Sequence, residues 1–229
     1  MSLATRATGE EAMDDPALAP ETYAAVLRDL ARVNRVTLAA RPTLRFLDTA
    51  VRVRRRLRLL DVGYGDGDML RRIARWAARR GIAAELVGID LNPRSAAIAR
   101  ADTPAELPID YRTGDYAGLA DQPWDVIVSS LVAHHMTRDQ LVAFLRFMDA
   151  HAAVGWFVND LHRHCLAHAG YPLLATLLRW HPIVRADGTL SIARSYRPGE
   201  WPPLLAEAGV TGARVERMFP FRLCVSKHR

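Results

Sequence analysis

Lysine is almost missing from this 229-residue chain: Lys227 is the only one, and arginine makes up the rest of the 31 basic residues. A net charge of +6 could suit a polyanionic partner. Arginine without lysine in an alanine-rich chain looks instead like the codon bias of a GC-rich genome, so the charge reads as a solvated surface. The densest run, Arg52, Arg54, Arg55, Arg56 and Arg58, lacks the interleaved aromatics on which single-stranded bases stack. No nucleic-acid partner is expected. Cysteine is also scarce, and Cys165 and Cys224 lie too far apart for a metal-spaced pair or a disulfide framework. Long apolar runs are absent too, so no membrane-spanning segment is expected. The N-terminus lacks the apolar middle of a secretory signal, and a cytoplasmic location is expected.

Half of the residues are apolar, enough for one domain with an ordinary core. Residues 1–20 mix small, acidic and proline residues without periodicity and read as a poorly ordered leader. Residues 21–53 carry helical spacing (Tyr23, Val26, Leu27, Leu30, Val33) and should form N-terminal cap helices. Strands are expected at 57–62, 85–90, 109–112, 124–129 and 153–158, alternating with helices at 69–80, 93–100 and 140–151. Such alternation makes a parallel sheet wrapped by helices. After a helix at 198–208, residues 213–218 and 221–226 read as an antiparallel hairpin. The 161–197 segment is too long for a connector and reads as a helical lid, with a turn at Asp187-Gly188. The fold class is therefore α/β, with a Rossmann-like, mainly parallel sheet of seven strands.

Asp61-Val62-Gly63-Tyr64-Gly65-Asp66-Gly67 joins the first strand to its helix. Glycines there let backbone approach a ligand, and the N–H groups opening a helix favour electronegative atoms. The even spacing departs from the dinucleotide fingerprint, and the lysine and hydroxyl of a phosphate loop do not follow. The pattern acid-x-Gly-x-Gly-x-Gly resembles class I S-adenosylmethionine-dependent methyltransferases. The likeness extends to Asp90 ending the second strand, Gly114-Asp115-Tyr116 after the third, Trp124 to Val128 as the fourth, and the terminal hairpin. It implies S-adenosylmethionine as cofactor and S-adenosylhomocysteine as product. In the family the turn at Gly63, Gly65 and Gly67 contacts the methionine part, the acid at Asp90 takes both ribose hydroxyls, and Asp115 meets the adenine amine. Asp61, Leu91, Tyr116 and Ser130 complete the expected cofactor site.

For the acceptor, two strand ends carry unusual polar residues: Ser129 to His135 after the fourth strand, and Asn159-Asp160-Leu161-His162-Arg163-His164 after the fifth. Seven of the eight histidines fall between His134 and His181. His134, His135 and Asp160 are the candidate catalytic residues, one of the histidines serving as base. Asp160 and Arg163 are candidates to orient the acceptor or to pin the lid as an ion pair. Where a magnesium-dependent catechol enzyme would place an acid, serines and histidines stand, so no metal is expected. These segments resemble bacterial enzymes that methylate phenols, quinones and polyketide-like products. That resemblance implies methyl transfer to oxygen, less readily to carbon, of a small aromatic or apolar acceptor, with homodimerisation left open. The alternatives are an RNA or protein methyltransferase and a cofactor-binding domain without turnover.

Overall fold

The structure is a computed structural model and describes residues 3–229. Strict alternation along the strands decides its layers. In β1 (Arg56–Val62), Leu57 and Leu59 face one side and Leu60 and Val62 the other. In β4 (Trp124–Ser130), Val126 and Val128 join the first side and Ile127 the second. Both faces are apolar because helices cover both. The first face packs on α2 (Ala40–Ala50), α3 (Asp68–Arg79) and α4 (Pro93–Ala101), through Phe46, Leu47, Leu70, Ile73, Trp76 and Ala99. The second packs on α5 (Arg138–His151) and α8 (Trp201–Glu207), through Phe144, Leu145, Trp201 and Leu204.

With β2 (Ala83–Asp90), β3 (Ile109–Thr113), β5 (Ala152–Leu161), β6 (Arg214–Met218) and β7 (Arg222–His228), the sheet has the order β3-β2-β1-β4-β5-β7-β6. β1 to β5 are parallel, whereas β7 runs antiparallel to both β5 and β6. β1 lies beside β4, so the crossovers reverse direction there and open a crevice beyond the strand ends. Local signals agree with the global order. Asn92 accepts from the Arg94 N–H ahead of Pro93, and Thr137 with Gln140 forms a capping box on α5.

Above the crevice, α1 (Pro20–Val36) packs against the insertion formed by α6 (Cys165–Leu177) and α7 (Pro182–Arg194). Val26 and Val33 meet Ala175, Trp180 and Val184 in a third apolar cluster. Two sequence expectations fail in this region. Asp187-Gly188 is not a turn but lies inside α7. Gly188 sits there because the Tyr171 ring of α6 occupies the space a side chain would need: a Cβ would come within 2.3 Å of it. The leader is not loose either. Ala12 and Met13 donate backbone N–H groups to the Asp187 carboxylate, both at 2.9 Å, and Arg6 donates to the Arg194 carbonyl and the Tyr196 hydroxyl, both at 2.6 Å. Buried polar bonds, which leave no apolar period, hold this segment in place.

Candidate active site

At the end of β1 the chain turns through Gly63, Gly65 and Gly67, with φ of 77°, 56° and 78°. At Gly63 a Cβ would also strike Val132 at 2.4 Å, so only glycine fits on both counts. The turn is braced from β2. Asp90 accepts the Gly65 N–H at 2.9 Å on one carboxylate oxygen and the Asn92 N–H at 2.8 Å on the other. Asn92 in turn donates to the Tyr23 hydroxyl at 3.0 Å, which ties α1 to this end of the sheet. Asp61 is 1% exposed and neither carboxylate oxygen has a partner. Burial, with the Asp90 charge beside it, pushes its carboxyl up to about 7. A buried carboxyl without a donor is costly, and a donor or cation supplied by a ligand relieves that cost.

The other expected cofactor residues are spread along the strand ends. Leu91 is exposed after β2. Asp115 caps a single turn at 116–119 by accepting the Ala117 N–H at 2.9 Å, and Tyr116 packs its ring on Phe144 and Phe147. These residues and Asp90 stand at the ends of β2 and β3, across β1 from the acceptor side. Ser130, at the end of β4, is on the acceptor side and receives a hydrogen bond from the Asn159 amide at 3.3 Å. Asn159 also donates to the Ala39 carbonyl and Thr43, pinning the link between α1 and α2 to β5.

A cavity of about 520 Å³ opens from the glycine turn toward α1, α6 and α7. Gly63, Gly65, Ser130, Leu131, His134 and His135 line its polar end, and Leu30, Val33, Tyr171, Leu174 and Phe221 its apolar walls. Leu131 holds φ of 64°, an unfavourable conformation for leucine, while its N–H donates to the Asn159 carbonyl at 2.8 Å. Three residues after Leu131 comes the pairing that organises this end. Asp160 takes the His134 backbone N–H at 2.8 Å on one oxygen and stands 2.7 Å from its Nδ1 with the other. Burial would raise the Asp160 carboxyl, but His134 and two backbone N–H groups hold it below its ordinary value. Arg163 does not join Asp160. It pairs with Glu200 at 2.5 Å and donates to the Ser195 carbonyl at 2.9 Å, so it fixes the end of the insertion.

Two site residues have no signature in the sequence. Glu11 is 4% exposed and faces both histidines, its oxygens 3.7 Å from His134 Nε2 and 3.8 Å from His135 Nε2. Ser191 donates to it at 2.8 Å, and burial pushes its carboxyl up. Arg222, also on the cavity wall, is 1% exposed, donates to Thr37 at 2.9 Å and leaves Nε and Nη1 unpartnered. Burial lowers its guanidinium to about 10.

Against this geometry, residues 59–155 match the family described as methyltransferase domain. This stretch is a methyltransferase domain. The match takes in the glycine turn, Asp90, Asp115 and the His134-His135 pair. No curated protein sequence matches the chain. Among solved structures, human N-acetylserotonin methyltransferase with S-adenosylmethionine is 15% identical, with a TM-score of 0.62 over 92% of this chain and 56% of that one. The chain thus spans little more than half of that protein. A methyltransferase from Aquifex aeolicus is 16% identical, with a TM-score of 0.61 over 91% of this chain and 97% of the other. Magnesium protoporphyrin IX methyltransferase from Synechocystis with S-adenosylmethionine is 14% identical, with a TM-score of 0.56 over 88% and 82%. The fold around the methyltransferase domain is that of the class I S-adenosylmethionine-dependent enzymes. No helix among the described residues is long and apolar enough to cross a membrane.

Proposed function

We propose that the protein uses S-adenosylmethionine to methylate an oxygen, less readily a carbon, of a small aromatic or polyketide-type acceptor. The carrying observation is that one cavity touches both the glycine turn and the Asp160-held His134, with apolar walls between them and the surface. The residues fit the cofactor: the turn offers close backbone approach, Asp90 keeps carboxylate lone pairs beyond its two N–H bonds, and the orphaned Asp61 lacks a donor. When bound, the cofactor supplies an electrophilic methyl on a sulfonium.

The chain's own work is alignment, exclusion of water and handling of the acceptor's proton. Asp160 beside Nδ1 favours the tautomer with its proton there, so the Nε2 lone pair of His134 turns to the cavity and accepts the acceptor's proton. The apolar walls select an acceptor that is flat or greasy. Solved relatives of the fold named for N-acetylserotonin and magnesium protoporphyrin IX are in keeping with that choice. The arginine run at 52–56 lies at the opposite end of β1 from the glycine turn, which favours a small molecule over RNA.

Calorimetric titration with S-adenosylhomocysteine, repeated on Asp90→Ala, tests the cofactor half of this reading. Saturable binding that the variant loses is expected, followed by methylated products in a screen of phenols and quinones by mass spectrometry. A folded wild type that binds nothing would sink the proposal.

A further inference from the structure

Proton transfer needs one histidine and one carboxylate, and the cavity holds more than that. Both His134 and His135 aim Nε2 at the same Glu11 carboxylate, at 3.7 and 3.8 Å, one oxygen each. The candidate ligand atoms of all three residues lie within 4.8 Å of one another. Behind each ring stands a separate carboxylate: Asp160 at 2.7 Å from Nδ1 of His134, and Asp14 at 3.4 Å from Nδ1 of His135. A carboxylate on the far ring nitrogen is how metal-ligating histidines are oriented and made more basic. Here the arrangement occurs twice, around one focus.

We propose that Glu11, His134 and His135 bind a divalent transition-metal cation, with its remaining coordination positions open to the acceptor cavity. Glu11, the third ligand, stands more than 120 positions before the two histidines, so no metal-ligand spacing marks this site in the sequence. Two imidazoles and a carboxylate select zinc, iron(II) or cobalt over magnesium, which prefers oxygen alone. Metal–ligand bonds of about 2.0–2.2 Å set neighbouring ligand atoms roughly 3–3.4 Å apart, so ligand atoms that lie within 4.8 Å of one another must draw together to close on the ion, which side-chain rotation can supply. The local charge suits a cation. Three carboxylates, Glu11, Asp14 and Asp160, surround the two rings. Opposing them, the Arg194 guanidinium stands 3.8 Å from one Glu11 oxygen, beyond hydrogen-bond reach, and Ser191 donates to that same oxygen. The other oxygen is left for the ion.

All three ligands line the cavity, so an oxygen of the acceptor can take an open position. The ion then lowers the hydroxyl's pKa and its proton passes to water, in place of uptake by His134. Only this last step rests on the methyltransferase reading; ion binding itself does not.

Cobalt(II) is the probe, titrated into tag-free, metal-stripped protein and followed by its visible absorption, with zinc as competitor. One equivalent should produce a band that zinc abolishes, and Glu11→Gln and His135→Ala should each weaken binding at least tenfold. Asp14→Asn should weaken it less. Every variant is also titrated with S-adenosylhomocysteine, which shows that it is folded and reports on the cofactor site separately. Wild type that binds S-adenosylhomocysteine but no cobalt, or a band that survives both ligand variants, overturns the proposal and leaves the methyltransferase reading standing. Cobalt bound at Glu11 and the histidines without any S-adenosylhomocysteine binding does the reverse.

Discussion

The two halves of the site are built on different plans. The half proposed to hold the cofactor is local: Asp61, the three glycines and Asp90 come from thirty consecutive positions, 61 to 90, and the turn it offers is made of backbone. The acceptor half is assembled from afar. His134 bonds Asp160, 26 residues away, and Glu11 bonds Ser191, 180 residues away. A local half is fixed by the chemistry of one turn and tolerates little variation. A distant half depends on how three elements dock, so its shape and specificity can change without touching the turn.

The sharpest break of that comparison is Asp160→Asn. Turnover should fall by about 10²- to 10⁴-fold, as for loss of a base's orienting partner, while S-adenosylhomocysteine affinity stays within about twofold. Joint loss of both would mean the halves are one unit. Next in size is Asp90→Ala, which removes charged hydrogen-bond acceptors from the cofactor half. Calorimetry should show affinity lowered on the order of 100-fold, with the NMR signals of the His134 ring left where they are in the wild type.

Stability against pH separates the halves by sign. Asp61 is raised from 3.8 to about 7 in the fold, so its protonated form is favoured there. Its contribution is full below about pH 4 and is lost as pH rises through about 7, a change of a few kcal/mol at roughly 1.4 per unit. Asp61→Asn should therefore flatten the melting-temperature profile between pH 4 and 7 and melt higher than wild type at pH 8. Asp160, held low, acts oppositely: its contribution is present above the ordinary carboxylate range and is lost in stronger acid. The smallest effect is expected from Tyr23→Phe. Deleting the bond between Asn92 and the Tyr23 hydroxyl should cost about 0.5–1.5 kcal/mol in urea unfolding and weaken cofactor binding only slightly.

The same contrast explains what could be read from the sequence. The strands announce themselves because both faces of the sheet are buried, so Leu57 to Val62 and Trp124 to Ser129 form apolar runs, and the hairpin order follows from its spacing. Gly63, Gly65 and Asp90 are legible because a turn needs particular residues at fixed offsets. His134 and Asp160 stand out only as polar residues at strand ends, and the structure brings them together. Glu11 and Arg6 are invisible, since a polar anchor with a partner about 190 positions away has no period. Gly188 misleads for a related reason: its cause is the Tyr171 ring packed on it, whereas local rules assign a glycine after aspartate to a turn.

The docking of the leader has a bearing on how the protein is made. Residues 6 to 13 leave the ribosome long before the groups they bind, from Asp187 to Tyr196. During translation the nascent sheet can close from β1 to β5 while Glu11 still has nowhere to go. The histidine end of the cavity is thus completed only after α7 has been made, and a ribosome stalled before α7 would carry a folded glycine turn with Glu11 not yet held beside the histidines.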